Sequence, residues 1–120
     1  MDKGILWGYF PSGVNVKRRY PCGQPHHITL RYGVAYQDYR DLIGKQFQAI
    51  ATHLCWNDRT EAIAVQLPEW VPCSIVYPHI TVSWVDGAKP IEANEMLATK
   101  YSCIRFEQSI DVAIDFLNWE

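Results

Sequence analysis

The chain has 120 residues, of which 48% are hydrophobic and 20% are charged. That is the composition of a single globular domain with enough apolar residues to bury a core, and it excludes a disordered or low-complexity chain. A formal net charge of −2 excludes the broad basic surface that grips long nucleic acid, but a small nucleotide or a short RNA end needs only a few cations.

Met1-Asp2-Lys3-Gly4 leads straight into an apolar segment, without the charged, apolar and cleavage regions of a signal peptide. No apolar run approaches the roughly 20 residues needed to span a bilayer. A cytoplasmic protein that does not engage a membrane is expected. Ile5 to Phe10 reads as a first strand, rich in aliphatic and aromatic side chains. Pro11 to Pro25 reads as a long loop carrying the basic cluster Lys17-Arg18-Arg19, and long loops in compact domains are often functional. His26 to Tyr32 is a second strand, ended by Gly33. Tyr36 to Ile43 is a short helix or irregular segment.

Gln46 to Trp56 predicts a strand with Phe47, Ala49, Ala51 and His53 on one face. Asn57-Asp58 supplies turn chemistry, and Thr60 to Leu67 completes a hairpin. Ser74 to Val85 follows as a strand in which Pro78 marks a start or an edge. Asp86-Gly87 is a turn. Pro90 to Lys100 reads as a helix, with Pro90 in its first turn and Glu92 and Glu95 near its positive end. Two final strands are expected, Ile104 to Phe106 and Asp111 to Leu117. The sum is an α+β domain over residues 1–120, with mostly antiparallel strands and few helices.

Cys22, Cys55, Cys73 and Cys103 are scattered without a C-x-x-C pair, so reduced thiols, mostly in or near the core, are expected. A zinc site from His26, His53, Cys55 and Cys73 matches no common ligand spacing. No metal and no cofactor are expected.

One short sequence stands in the chain twice: His-Ile-Thr-Leu at 27–30 and His-Ile-Thr-Val at 79–82. Side chains two apart on a strand share a face. His27 and Thr29 therefore point together, as do His79 and Thr81, while Ile28, Leu30, Ile80 and Val82 face the core. If the strands are neighbours, two imidazoles and two hydroxyls meet on one patch. At neutral pH one imidazole can take a proton while the other gives one. Threonine hydroxyls can hold the non-bridging oxygens of a phosphoryl group.

A doubled His-x-Thr in a small α+β domain resembles the 2H phosphoesterases. Tyr77-Pro78-His79-Ile80-Thr81-Val82-Ser83-Trp84, continuing through Lys89-Pro90 to Asn94 and Leu97, is similar to the tRNA ligase and phage anti-CBASS branches. Cys55-Trp56-Asn57-Asp58-Arg59 is similar to the tRNA ligase branch. The resemblance implies a bilobal, mostly antiparallel sheet with pseudo-two-fold halves and metal-independent phosphodiester hydrolysis beside a ribose 2′-hydroxyl. It assigns acid–base roles to His27 and His79 and phosphate binding to Thr29 and Thr81.

Substrates within this resemblance range from cyclic oligonucleotide immune signals, degraded in phage immune evasion, to RNA ends with 2′,3′-cyclic phosphates and 2′-5′ linkages. The acidic balance, and the lack of any kinase or ligase segment, favour a stand-alone enzyme on a small cyclic oligonucleotide. Tyr9, Tyr20 and Trp84 are expected to contact substrate as stacking surfaces, with Trp56 and Trp119 as further aromatic candidates. Arg31 is expected to neutralise phosphate, with Arg18 and Arg19 as further candidates. His26 is expected to point away from His27, and His53 to be structural. The alternative from a different class is a non-catalytic groove for nucleotides or RNA ends, although a pure binder would not need both imidazoles.

Overall fold

The structure is a computed structural model that describes residues 3–118. Its strands are β1 (Lys3–Tyr9), β2 (His27–Ala35), β3 (Gln46–Trp56), β4 (Thr60–Gln66), β5 (His79–Trp84) and β6 (Ser102–Asn118), with one α-helix, α1 (Glu92–Ala98). They close into a barrel in the order β1-β2-β5-β4-β3-β6, and all neighbours run antiparallel. The α+β reading with few helices stands, and the strands form one closed ring. The division within that ring is a seam between β2 and β5, where the ladder is the single pair Ile28–Ile80.

The barrel is filled by side chains. Leu6, Ile28, Leu30, Ile63, Ile80 and Val82 are fully buried at its centre. Phe47, Ala49 and Ala51 face inward along β3 as their alternation requires. A register shift between Ala51 and His53 then reverses the alternation, so Leu54 is buried and His53 is exposed. On the outer face, α1 buries Ala93, Met96 and Leu97 against Cys55 and Ala62. No described helix is long and apolar enough to cross a membrane.

Two expectations change. Gly33 does not end β2: it adopts φ +72° and is the extra residue of a bulge between the pairs Gly4–Val34 and Ile5–Tyr32. Glycine takes positive φ without steric cost, so the strand bends there and continues. The two C-terminal strands are one, because no glycine or proline interrupts Ser102–Asn118. That strand pairs first with β3 and then with β1. Tyr36 to Ile43 holds two 3₁₀ turns, Tyr36–Asp38 and Arg40–Leu42. Pro78 does mark a strand start, since β5 begins at the next residue.

The long loop between β1 and β2 is pinned to the barrel. Val14 and Val16 pack against the core. The Glu61 carboxylate, 1% exposed, accepts hydrogen bonds from the Arg19 backbone N–H at 2.9 Å and the Ser83 hydroxyl at 2.7 Å. The Arg19 guanidinium lies 4.0 Å above the Trp56 ring. Cys22 and Trp84 exchange backbone hydrogen bonds of 3.1 and 3.0 Å. All four cysteines are free thiols. Burial, and then Cys103 beside it, pushes the Cys55 thiol up to about 11.

Candidate active site

The single pair at the seam explains how the two motifs meet. Ile28 and Ile80 are partners in an antiparallel ladder. The same register carried one residue either way sets His27 beside Thr81 and Thr29 beside His79. The isoleucines point into the barrel, so these four polar side chains point outward together. All four line one cavity of about 1070 Å³. Its walls are the segment from Ser74 to Tyr77, Ile91 just before α1, and α1 through Asn94 and Ala98.

Each imidazole is held from behind. His79 Nδ1 lies 2.8 Å from the Tyr77 carbonyl oxygen. A carbonyl only accepts, so Nδ1 carries the hydrogen and Nε2 is the nitrogen left for chemistry. His27 Nδ1 lies 3.1 Å from His26 Nδ1, and Trp7 packs on the His27 ring with centroids 4.9 Å apart. Burial, followed by His26 and His79 nearby, lowers the His27 pKa from 6.5 to about 4. Burial also lowers that of His79, while its bond to the Tyr77 carbonyl opposes the shift. His27 is therefore a neutral proton acceptor at neutral pH.

The remaining candidates divide. Trp84 lines the cavity. Tyr9 lies outside it, in a smaller adjoining pocket with Phe10 and His26. Tyr20 is absorbed into the loop anchor: its hydroxyl donates to the Asn57 carbonyl and its backbone N–H donates to the Ser83 hydroxyl at 3.2 Å. Arg31 misses the cavity because a register shift between Leu6–Arg31 and Trp7–Thr29 leaves Leu30 as an extra residue. The guanidinium lies 6.0 Å from the Tyr39 ring, and its Nε is buried without a hydrogen-bond partner. Arg18 donates to the Pro21 and Gly23 carbonyls, and Arg19 turns to Glu61 and Trp56. Trp119 lies outside the described residues.

Sequence reasoning missed three contributors. His26 precedes the first residue of β2, so strand alternation does not govern it, and it turns to meet His27. Tyr32 takes the cavity position that simple alternation gives to Arg31. Asn94 lines the cavity from α1, a placement that only helix packing decides. Among the described residues, no group of three His, Cys, Asp or Glu side chains is placed to hold a metal ion.

The arrangement is a pair of imidazoles and a pair of hydroxyls around one point, open to a large and mainly apolar space. A phosphoryl group at that point would meet two imidazoles able to exchange protons and two hydroxyl donors. No curated protein matches the chain. The family model of the fungal tRNA ligase phosphodiesterase domain matches residues 25–115, a span holding both His-x-Thr strands, α1 and most of β6. On that match the chain belongs to the fungal tRNA ligase phosphodiesterase domain family, within the 2H phosphoesterases.

Proposed function

We propose that this chain hydrolyses nucleotide phosphodiesters beside a ribose 2′-oxygen, with His27 and His79 as the acid–base pair. The observation that carries this reading is the convergence of both His-x-Thr pairs on one cavity across the Ile28–Ile80 seam. The two motif strands act as local two-fold mates about that pair.

For a 2′,3′-cyclic phosphate, water attacks phosphorus and gives its proton to His27. The bond from phosphorus to one ribose oxygen breaks, and that oxygen takes a proton from His79. The product is a phosphomonoester beside a free hydroxyl. His27 suits the base role because burial and two neighbouring imidazoles disfavour its cation. His79 takes the acid role in this reading: burial lowers its pKa, and the Tyr77 carbonyl at its Nδ1 opposes that shift. Thr29 and Thr81 hold the non-bridging oxygens. The two histidines and two hydroxyls complete these steps by themselves, so no cofactor enters them.

RNA ends bearing a 2′,3′-cyclic phosphate are the first substrates to try, since the family is a tRNA ligase phosphodiesterase domain. A cyclic oligonucleotide is the second reading, favoured by a cavity of about 1070 Å³, which exceeds the needs of one nucleotide. The test is hydrolysis in EDTA by the protein and by His27→Ala and His79→Ala. Each substitution is expected to lower kcat by about 10²–10⁴-fold. Full activity in either variant, with the fold intact, would overturn the mechanism.

A further inference from the structure

The two motif strands share more than His-x-Thr. In β2 the pairs Leu6–Arg31 and Trp7–Thr29 leave Leu30 unmatched. In β5 the pairs Glu61–Ser83 and Ala62–Thr81 leave Val82 unmatched. Each strand thus bulges at the residue after its threonine. A bulge shifts the alternation by one. Ser83 turns into the barrel and is fully buried, and Arg31 is withdrawn from the cavity. The next residue in each strand returns to the cavity face, and in both it is aromatic: Tyr32 and Trp84.

The two strands run in opposite directions from the Ile28–Ile80 pair. Tyr32 and Trp84 therefore lie on opposite sides of the histidine–threonine group. Allowing for the bulges, about three strand rises separate each from the seam, placing their Cα atoms roughly 20 Å apart. One nucleoside cannot touch both rings, but two nucleosides joined through a phosphate can. Trp84 is also braced from behind: a Cβ on Gly23 would come within 2.3 Å of its ring. Among the described residues, no Lys, Arg, Asp or Glu lines the cavity. No ion pair with a lining side chain then contributes to nucleotide affinity, which leaves ring contacts and uncharged polar groups such as Gln24, Ser74 and Asn94.

Resting on the phosphodiesterase reading above, we infer that Tyr32 and Trp84 are paired nucleobase platforms, one on each side of the scissile phosphate. The site is thereby shaped for an internal diester carrying a base on both sides, and a 2′,3′-cyclic mononucleotide fills only one half of it.

The experiment compares adenylyl-(3′→5′)-adenosine with 2′,3′-cyclic AMP in the wild type, Tyr32→Leu and Trp84→Leu, with Trp84→Phe as the conservative control. Thermal melting checks each fold. For the dinucleoside, both leucine variants are expected to lose about 5- to 100-fold in kcat/KM, the factor a lost base–aromatic contact is worth. Trp84→Phe should retain most of the wild-type value. For the cyclic mononucleotide, only one of the two leucine variants should fall.

Equal losses on both substrates, or no loss on the dinucleoside, would overturn the inference. Failure of the wild type to cleave either substrate would count against the phosphodiesterase reading instead. The platforms are then decided by binding of the 2′-O-methyl dinucleoside, followed by titration calorimetry. Binding weakened in both leucine variants sustains them, and no binding in the wild type overturns them.

Discussion

His27 is packed against Trp7 and His26 in the candidate site. Its folded-state pKa of about 4 lies below the ordinary 6.5 because the ring is desolvated and sits beside two other imidazoles. Between those values the unfolded chain holds the extra proton. The contribution of His27 to stability is therefore complete above about pH 6.5 and is lost as the pH falls toward 4. The expected result is a gap in Tm between the wild type and His27→Gln that changes across this window and is flat above it, measured by thermal melts at a series of pH values. Gly33 offers a second test at this scale. Its φ of +72° is costly for a residue with a Cβ, so Gly33→Ala should lose about 1–2 kcal/mol in urea unfolding. Neither property is visible in composition. The glycine was legible as a break in β2, but only the pairing of β1 with β2 shows that the strand continues through it.

The loop between β1 and β2 owes its order to a few buried contacts, so it is testable as a unit. Glu61→Ala would leave the Ser83 hydroxyl and the Arg19 N–H without their acceptor. Each buried group left unpaired costs about 1–3 kcal/mol. The expected outcome is faster proteolytic cleavage between Pro11 and Pro25, with the barrel still cooperative in circular dichroism. Arg18 and Arg19 were legible as candidate phosphate contacts, but Arg18 is spent on carbonyls within the loop and Arg19 on holding the loop to Glu61 and Trp56 of the barrel. The helix α1 was placed well from Pro90, Glu92 and Glu95. What the periodicity did not disclose is that Asn94 borders the cavity.

At the scale of the whole molecule, the candidate site is built across a thin seam. Ile28 and Ile80 are its only paired residues, and both are fully buried. Ile28→Ala removes core volume at the point that sets the spacing of the two motifs. A loss of about 2–5 kcal/mol is expected, measured by denaturant unfolding, with kcat falling in the surviving folded protein. The charge of the cavity gives another prediction. With no lysine or arginine among its described lining residues, KM for a single diester should change by only a few-fold between about 0.05 and 0.2 M salt, where a site built on many phosphate contacts loses orders of magnitude.

The sequence by itself determined where most strands lie, the hairpin, the helix and the two His-x-Thr pairs, because these rest on local properties: alternation, turn residues and the chemistry of neighbouring side chains. It also carried the family. The tertiary structure alone decided that the strands close into one ring, that the motifs cross at Ile28–Ile80, and which aromatic residues face the cavity. The reason is register. A single unmatched residue after each threonine exchanges inside for outside, and that exchange depends on the partner strand, which lies far away in the chain. Alternation counted along β2 puts Arg31 on the cavity face; pairing with β1 puts Tyr32 there instead.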